Sequence, residues 1–254
     1  MEFYTGTKNQ CCAKCNYLRY PIGQKVVENK IVYYCQPCAK KLNLQLAPTS
    51  LKVSDKDRVF LEKYQIDFLY HFTVYTNLRS ILEYGLLAHT QAHKLNLVVG
   101  DISREGVQFL RGDKVVYRRP LHSYVCLYFS PKNPMLFNLK HLQDYLVMLA
   151  IRPEVIFKKN TIFSDGNAAA KTTNFYGDIA KIDKLNWTVI NGERWSEFED
   201  GKRCKCAEVL VYPRVGVENI AKVICRSEKQ VEAICQKMPD EVNIPVEVKP
   251  ELFF

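Results

Sequence analysis

The sequence predicts an α+β fold preceded by a small cysteine-rich module. Strand-like apolar runs outnumber helical patterns, and the two do not alternate in the regular order of a doubly wound α/β fold. Five of the ten cysteines fall between Cys11 and Cys38. We therefore expect a metal-binding module at residues 1–45 and one larger domain at residues 46–254.

Helices are predicted where a polar cap precedes periodic apolar residues. Ser54 is expected to cap a helix that runs to about Tyr64, and Ser227 one that runs to about Lys237. A helix starting at Thr76 should end at Gly85, since glycine accepts the left-handed backbone of a helix end. A further helix is expected at 133–143, and strands are expected at 68–72, 124–129, 145–151, 207–212 and 219–225.

The charge and the apolar pattern limit the class of protein. The formal net charge is +9, which is typical of proteins that meet a polyanion, although an ordinarily solvated basic surface gives the same total. The sequence contains no run of about 18 apolar residues that could cross a bilayer, and its first residues lack a signal-peptide pattern. We therefore expect no membrane association and a cytoplasmic protein, in which clustered cysteines are typical of metal ligands.

Two Cys-x-x-Cys pairs, Cys12 with Cys15 and Cys35 with Cys38, lie in the N-terminal module. Two such pairs complete a tetrahedral site of four thiolates around one zinc ion. A unit of this size buries too little apolar surface to fold alone, so a metal would stabilise it. The sequence thus predicts a structural zinc site; unligated or redox cysteines are the alternative.

The larger domain places polar residues at one strand-to-helix junction. His71, Thr73 and Asn77 occur where a strand is expected to lead into a helix. Backbone N–H groups at a helix start favour anions and bound phosphates. A lone histidine at a strand end is more often a hydrogen-bonded core residue, and only the grouping suggests a ligand site.

Two charged residues occur in or near apolar strands. Arg111 precedes the strand-and-turn run at 120–136, and Glu208 enters the apolar run at 207–212. A carboxylate there is unfavourable to bury unless it has a partner. Glu208 is therefore a candidate functional residue, and a structural ion pair is the alternative.

Taken together, these segments resemble the DarT family of DNA ADP-ribosyltransferases. The family patterns are Tyr-His-x-Thr…Asn-Leu…Ile-Leu…Gly-Leu, an arginine upstream of Leu-His-x-Tyr-Val-x-x-Tyr-Phe…Pro-Met-Leu, Asp-Gly-Asn-Ala-Ala, and Ala-Glu-x-Leu-Val. In this chain they are matched, in order, by residues 70–86, Arg111 with 121–136, 165–169 and 207–211. Ser123 stands where the family usually has Asp, Cys126 where it usually has Pro, and the zinc module lies outside the common pattern. These departures concern the substrate more than the reaction.

The resemblance implies a split β-sheet with flanking helices that grips NAD in a cleft. Glu208 would be the catalytic carboxylate, stabilising the cation that develops on the ribose and taking the proton of the attacking base. Arg111 would contact an NAD phosphate or polarise the target base. The residues implied to bind NAD are His71, Thr73, Asn77, Gly85 and Arg111.

The resemblance also implies the acceptor and the setting. Thymine in single-stranded DNA is favoured, guanine is the alternative base, and the enzyme would act as a toxin or anti-phage effector with a macrodomain-type antitoxin. Residues 183–205 would face the DNA through Trp187, Trp195, Lys202, Arg203 and Lys205. Equally open is a solvated basic turn whose two tryptophans pack on the core.

Two other functions remain open at this stage. A non-catalytic zinc-ribbon protein that binds nucleic acid explains the charge and the cysteines, but not Glu208 in its apolar strand. An ADP-ribosyltransferase that acts on RNA or protein explains the motifs equally well. Cys204 and Cys206 are expected to be small core or loop residues, with a second metal contact as the minor alternative.

Overall fold

A computed structural model describes residues 22–27, 30–35, 54–102, 105–239, 242 and 244–254, with the backbone alone for 22–27, 30–35 and 105–108. In the N-terminal module, strands β1 (Ile22–Val27) and β2 (Lys30–Cys35) pair as an antiparallel hairpin. Cys35 is the last residue of β2, and its side chain lies outside the described part, as do Cys12, Cys15 and Cys38. The predicted zinc site therefore lies outside the described residues.

The helices of the larger domain are short and flank a sheet. They are α1 (Asp55–Lys63), α2 (Leu78–Tyr84), α3 (His89–Lys94), α4 (Glu105–Gly112), α5 (Pro134–Asn138), α6 (Trp187–Asn191), α7 (Gly201–Cys204) and α8 (Glu228–Cys235). The strands are β3 (Leu69–Val74), β4 (Leu86–Leu87), β5 (Val115–Val116), β6 (Arg119–Pro120), β7 (Val125–Tyr128), β8 (Leu146–Ile151), β9 (Ile162–Ser164), β10 (Phe175–Tyr176), β11 (Glu208–Val211), β12 (Arg214–Val215), β13 (Ile220–Cys225) and β14 (Val246–Val248).

One eight-stranded sheet forms the centre, with the strand order β10-β9-β11-β7-β3-β8-β13-β14. Adjacent strands in this sheet are antiparallel, except β13 and β14, which are parallel to each other. Pairing is weakest in the middle: β3 matches β8 over six residue pairs, but it matches β7 only at Tyr70 and Tyr128. The sheet is thus split into two halves between β3 and β7, as the resemblance implies.

Both faces of strand β8 pack against hydrophobic core clusters. Val147, Leu149 and Ile151 pack into one apolar cluster, and Leu146 and Met148 pack into a second cluster on the opposite face. All of them have no exposed surface. This explains why the sequence of β8 is apolar throughout and does not alternate.

The structure confirms most of the predicted elements. Ser54 Oγ accepts a hydrogen bond from the backbone N–H of Asp57 (3.2 Å), Ser227 forms a capping box at α8, and Gly85 ends α2. The helix predicted at 133–143 ends early, at Asn138, and a 3₁₀ turn follows. Strand β14 is not predicted, because a proline-containing tail shows no alternation. In the parts of the chain that the structure describes, no helix is long and apolar enough to cross a membrane.

Candidate active site

Glu208 is buried at the start of β11. It lies opposite Tyr128 of β7, and none of its side chain is exposed. Its carboxylate accepts hydrogen bonds from Arg111 Nη2 (2.7 Å to Oε2) and from the Ala168 backbone N–H (2.8 Å to Oε1). Arg111 Nη1 lies 3.4 Å from Oε1. The carboxylate that the sequence singles out is therefore both paired and hydrogen-bonded, which makes its burial tolerable.

Arg111 lies in the last turn of α4 and binds two side chains. Besides Glu208, its Nη2 donates to Cys126 Sγ (2.7 Å). Burial alone would lower the pKa of Arg111, but Cys126 and Glu208 outweigh it and raise that pKa well above its ordinary value. Burial in turn raises the pKa of the Cys126 thiol to about 12, so it stays protonated at neutral pH. Cys126, which departs from the family pattern, is thus part of the site.

His71 bridges the two halves of the split sheet. Its Nδ1 lies 3.0 Å from the backbone carbonyl of Cys126 on β7. Burial is the main cause that lowers the pKa of His71, and Arg111 lowers it further. A carbonyl can only accept, so the proton of the neutral ring lies on Nδ1, and Nε2 is left as an acceptor. His71 can therefore receive a hydrogen bond from a hydroxyl group of a ligand.

The side chain of Asn77 forms hydrogen bonds within the protein. Its Nδ2 donates to Thr73 Oγ1 (3.0 Å) and to the Gly100 carbonyl (2.8 Å), while its Oδ1 accepts from the N–H groups of Val99 (2.8 Å) and Gly100 (3.1 Å). Ser80 Oγ adds a bond to the Leu97 carbonyl (2.9 Å). Asn77 thus anchors the segment 97–100, which differs from the direct ligand contact that the resemblance implies.

Gly85 is required by backbone conformation and by packing. Its φ is +84°, a region that side chains disfavour. A Cβ at this position would lie 2.8 Å from the Val215 carbonyl of β12. The glycine therefore lets α2 end directly against β12, which pairs with β4 beside the cavity.

The Asp-Gly-Asn-Ala-Ala turn delivers the N–H group that binds Glu208. Ser164 Oγ donates to the Gly166 carbonyl (2.7 Å), and Arg203 Nη1 donates to Asp165 Oδ1 (2.5 Å). The backbone N–H of Asn167 binds the Arg203 carbonyl (3.0 Å). These contacts fix the turn, so the Ala168 N–H is held in place for the carboxylate.

The two tryptophans of the loop predicted to face DNA are partly buried and pack on neighbouring aromatic rings, although much of the loop is exposed. Trp187 contacts Phe129 and donates its ring N–H to the Ile182 carbonyl (2.9 Å), and Trp195 packs on Phe137. Lys205 is 4% exposed. Both tryptophans thus pack on other aromatic side chains of the protein. This agrees with the alternative in which they do not serve to stack on DNA bases. Both tryptophan rings are therefore partly covered by the protein.

Of the three basic residues predicted to contact DNA, only Lys202 is exposed. Lys205 Nζ donates to the carbonyls of Ile190 (2.7 Å) and Gly192 (2.5 Å), and Arg203 pairs with Asp165 and Asp200. Lys202 is exposed on α7 and faces the cavity described next. The thiols of Cys204 and Cys206 are buried, and in the described part of the chain neither belongs to a cluster of metal-ligand type.

A cavity of about 580 Å³ opens at the split between β3 and β7. It is lined by all five residues predicted to bind NAD: His71, Thr73, Asn77, Gly85 and Arg111. Glu208 is not among the lining residues, but Arg111, which holds its carboxylate, is. The structure therefore brings the predicted ligand residues together and keeps the predicted catalytic carboxylate directly behind them.

The same cavity has a histidine-rich wall that the sequence does not predict. His89 stacks on His122 (ring centroids 4.2 Å apart) and contacts His93 (4.1 Å). Burial, followed by these two neighbours, lowers the pKa of His89 to about 4. The signal in the sequence is the i,i+4 spacing of His89 and His93, but it lies in a stretch without a clear helical pattern.

Comparison with known proteins agrees with the family resemblance seen in the sequence. Residues 70–254 match the family model described as "ssDNA thymidine ADP-ribosyltransferase, DarT". Over 192 residues the chain is 30% identical to a DNA ADP-ribosyl transferase–DNA ADP-ribosyl glycohydrolase fusion protein of Thermosipho africanus, covering 73% of this chain and 49% of the relative. The chain thus spans about half the length of that relative.

Solved structures show the same fold. Thermosipho africanus DarTG in complex with ADP-ribose has a TM-score of 0.68 at 27% identity, covering 74% of this chain and 51% of that chain. Thermus sp. 2.9 DarT in complex with ADP-ribosylated ssDNA has a TM-score of 0.66 at 24% identity, covering 75% and 97%. The same Thermus protein in complex with NAD+ has a TM-score of 0.61 at 23% identity, covering 75% and 98%.

The α+β fold with its large central sheet is that of the solved DarT and DarTG structures. The family model covers well over half of the residues. The chain therefore belongs to the DarT family of DNA ADP-ribosyltransferases.

Proposed function

We propose that this protein transfers ADP-ribose from NAD to a nucleobase in single-stranded DNA, with Glu208 as the catalytic carboxylate and Arg111 as its partner. The observation that carries the proposal is the buried carboxylate held by Arg111 and the Ala168 N–H beside the cavity. The relatives from Thermosipho and Thermus, solved with ADP-ribose, NAD+ or ADP-ribosylated DNA, support the same substrates.

NAD occupies the cavity at the split of the sheet. His71 offers its Nε2 acceptor to a ribose hydroxyl, and Arg111 offers a planar fork of donors to a phosphate. Thr73 and Gly85 shape the wall, and Asn77 acts by fixing the segment 97–100. When Arg111 turns to the phosphate or to the target base, the carboxylate of Glu208 becomes accessible from the cavity.

The reaction breaks the bond between nicotinamide and ribose and forms a bond from the ribose carbon to a base nitrogen. Nicotinamide leaves with the electron pair of the broken bond. The fixed carboxylate of Glu208 stabilises the positive charge that develops on the ribose in a site shielded from water. It then takes the proton that the attacking nitrogen loses.

The acceptor is a base in a single strand, since a base stacked in a duplex is not exposed to the cavity. Thymine is favoured by the family description, and guanine is the alternative. Lys202, exposed beside the cavity, provides a cation for the phosphate backbone. Arg203 and Lys205, by contrast, bind groups of the protein itself.

An acceptor panel tests this proposal. The protein is incubated with NAD labelled in its adenylate part and with single-stranded DNA, duplex DNA, RNA or total protein. Oligonucleotides that each lack one base identify the target. Label on single-stranded DNA that disappears without thymine is the expected result. Label only on RNA or protein contradicts DNA as the acceptor, and no label on any acceptor favours a non-catalytic nucleic-acid-binding protein.

The module at residues 1–45 binds a structural zinc ion through Cys12, Cys15, Cys35 and Cys38, and the catalytic domain occupies residues 46–254. The spacing of the two cysteine pairs, with the hairpin of β1 and β2 between them, supports this assignment. Elemental analysis of the untagged chain should give one zinc per chain, which is lost in a Cys35→Ser, Cys38→Ser double variant. Retention of a full equivalent of zinc by that variant, after dialysis that removes metal of micromolar affinity, contradicts the site.

We further propose that the enzyme acts as a toxin or anti-phage effector, restrained by a macrodomain-type antitoxin that removes ADP-ribose from DNA. The Thermosipho relative, whose name joins a transferase to a DNA ADP-ribosyl glycohydrolase, supports such a pairing. Growth arrest on expression, relieved by a co-expressed glycohydrolase, is the expected result. Arrest that the glycohydrolase does not relieve contradicts the pairing.

A further inference from the structure

A histidine–carboxylate cluster lies on the cavity wall away from Glu208. It consists of His89 and His93 on α3 and of Asp101, which follows Gly100 in the anchored segment. Nε2 of His93 lies 3.5 Å from Asp101 Oδ2, and Nε2 of His89 lies 3.8 Å from the same oxygen. One ligand atom from each residue falls within 4.8 Å of the others. The three donors therefore converge on one point.

The separations from the two imidazoles to Asp101 are close to those of ligands on a single transition-metal ion. At metal–ligand bonds of about 2.0–2.2 Å, two donors on a tetrahedral ion lie about 3.3 Å apart. The observed distances to Asp101 exceed that value by only a few tenths of an ångström. Residues spaced i,i+4 project from one face of a helix, as in histidine pairs that bind zinc.

The protein holds the three donors in place before any ion binds. Asn77 makes two hydrogen bonds to Gly100 through Oδ1 and Nδ2, which positions the neighbouring Asp101. On the other side, His89 is stacked between His93 and His122. A site whose ligands are already fixed loses less conformational entropy on binding.

We propose that His89, His93 and Asp101 form a binding site for a divalent transition-metal ion of the Zn²⁺ or Ni²⁺ type. Two imidazoles and one carboxylate favour these ions over Mg²⁺ and Ca²⁺, which prefer oxygen ligands. The cluster faces the cavity, so water completes the coordination. The ion cross-links α3 to the segment that Asn77 anchors and thereby stabilises this wall of the cavity.

The site is distinct from the proposed cysteine zinc site and does not depend on the proposed reaction. The test therefore uses the full, untagged chain already carrying zinc, and the probe is Ni²⁺ added in a calorimetric titration. His93→Ala and Asp101→Asn remove one ligand each at exposed positions, so the fold is retained. His141→Ala, at an exposed histidine outside the cluster, is the matched control.

We expect one Ni²⁺ site of micromolar affinity in the wild type and in His141→Ala, weakened at least tenfold in His93→Ala and in Asp101→Asn. Ni²⁺ should also raise the melting temperature of the wild type but not that of His93→Ala. A His93→Ala isotherm that superimposes on the wild-type isotherm overturns the proposal. So does a wild-type chain that takes up no Ni²⁺ at 0.1 mM, roughly 100 times the expected dissociation constant.

Discussion

The guanidinium of Arg111, which lines the cavity, holds the carboxylate of Glu208, which does not line it. The two side chains meet at 2.7 Å, with Glu208 unexposed and Arg111 14% exposed. They lie 97 residues apart in the sequence, and each depends on the other for its burial. This pair links the stability of the fold to the proposed reaction, because the same carboxylate takes part in both.

Replacing Arg111 by Lys should lower the rate of ADP-ribose transfer about 100-fold, in the range seen when one preorganised donor is lost. A single ammonium cannot reproduce the planar fork that holds Glu208 and binds a phosphate. The measurement is the initial rate on single-stranded DNA at saturating NAD. Arg194→Lys, in an exposed pair with Glu197, is the control and should change nothing. An Arg111→Lys enzyme with the wild-type rate would show that the fork is not needed.

Replacing Asn77 by Ala should weaken both the fold and NAD binding. The side chain makes four hydrogen bonds, three of them to backbone groups of Val99 and Gly100, which would lose their partner. We expect the free energy of unfolding to fall by about 1–3 kcal/mol and the KM for NAD to rise. Asn191→Ala, which removes one exposed hydrogen bond, is the control in denaturant titrations. Equal effects of the two changes would contradict the anchoring role.

Replacing Gly85 by Ala should destabilise the domain by about 2 kcal/mol or more, since an L residue with positive φ is strained by about 1–2 kcal/mol before any clash. The new Cβ would also meet the Val215 carbonyl. Gly112→Ala is the matched control, because the nearest atoms to its Cβ are 3.6 Å away in the His122 ring. It should change stability by less than about 1 kcal/mol. The prediction fails if both variants unfold at the same denaturant concentration.

Lys205 should make stability rise with pH above pH 8. Burial lowers the pKa of Lys205 to about 8, whereas the unfolded chain has an ordinary lysine pKa of about 10.4. Between these values the unfolded state binds more protons, so the free energy of unfolding increases with pH, by up to about 3 kcal/mol. The neutral amine can still donate to the Ile190 and Gly192 carbonyls.

Denaturant titrations from pH 7 to 10 measure this effect as the difference in stability between the wild type and Lys205→Met. The difference should shift in favour of the wild type as the pH rises through 8. Lys202→Met, at an exposed position in α7 just before Lys205, should show no such trend. A flat difference for Lys205→Met would mean that its amine is solvated in the folded state.

The fold could be predicted where local pattern and tertiary environment agree. The apolar run of β8 and the glycine at the end of α2 are dictated by burial and by backbone conformation, and both are visible in the sequence. Strand β14 is not, because it is defined by its pairing with β13 rather than by its own alternation. Trp187 was equally compatible with stacking on DNA and with packing on Phe129, and only the three-dimensional neighbours decide.

The sequence indicates which residues belong to the candidate site, but it does not indicate which of them contact each other. A glutamate in an apolar strand requires a partner, yet nothing local to Glu208 identifies Arg111 as that partner. Asn77 lines the cavity, but the sequence does not distinguish a ligand contact from an anchor for the segment 97–100. The sequence does not predict that His89 and His93 lie together, because their helix lacks the apolar periodicity that would place them on one face.

The most direct test of the central claim is the mass of a thymine-containing single-stranded oligonucleotide after incubation with NAD and either the wild type or Glu208→Gln. Glu247→Gln, which alters a partly exposed pair with Lys222 in the same sheet, is the control. Folding of each variant is checked by circular dichroism and NAD binding. We predict one added ADP-ribose on a base with the wild type and with Glu247→Gln, and at least a 100-fold slower reaction with Glu208→Gln. A folded Glu208→Gln enzyme that modifies the base at the wild-type rate would contradict the account.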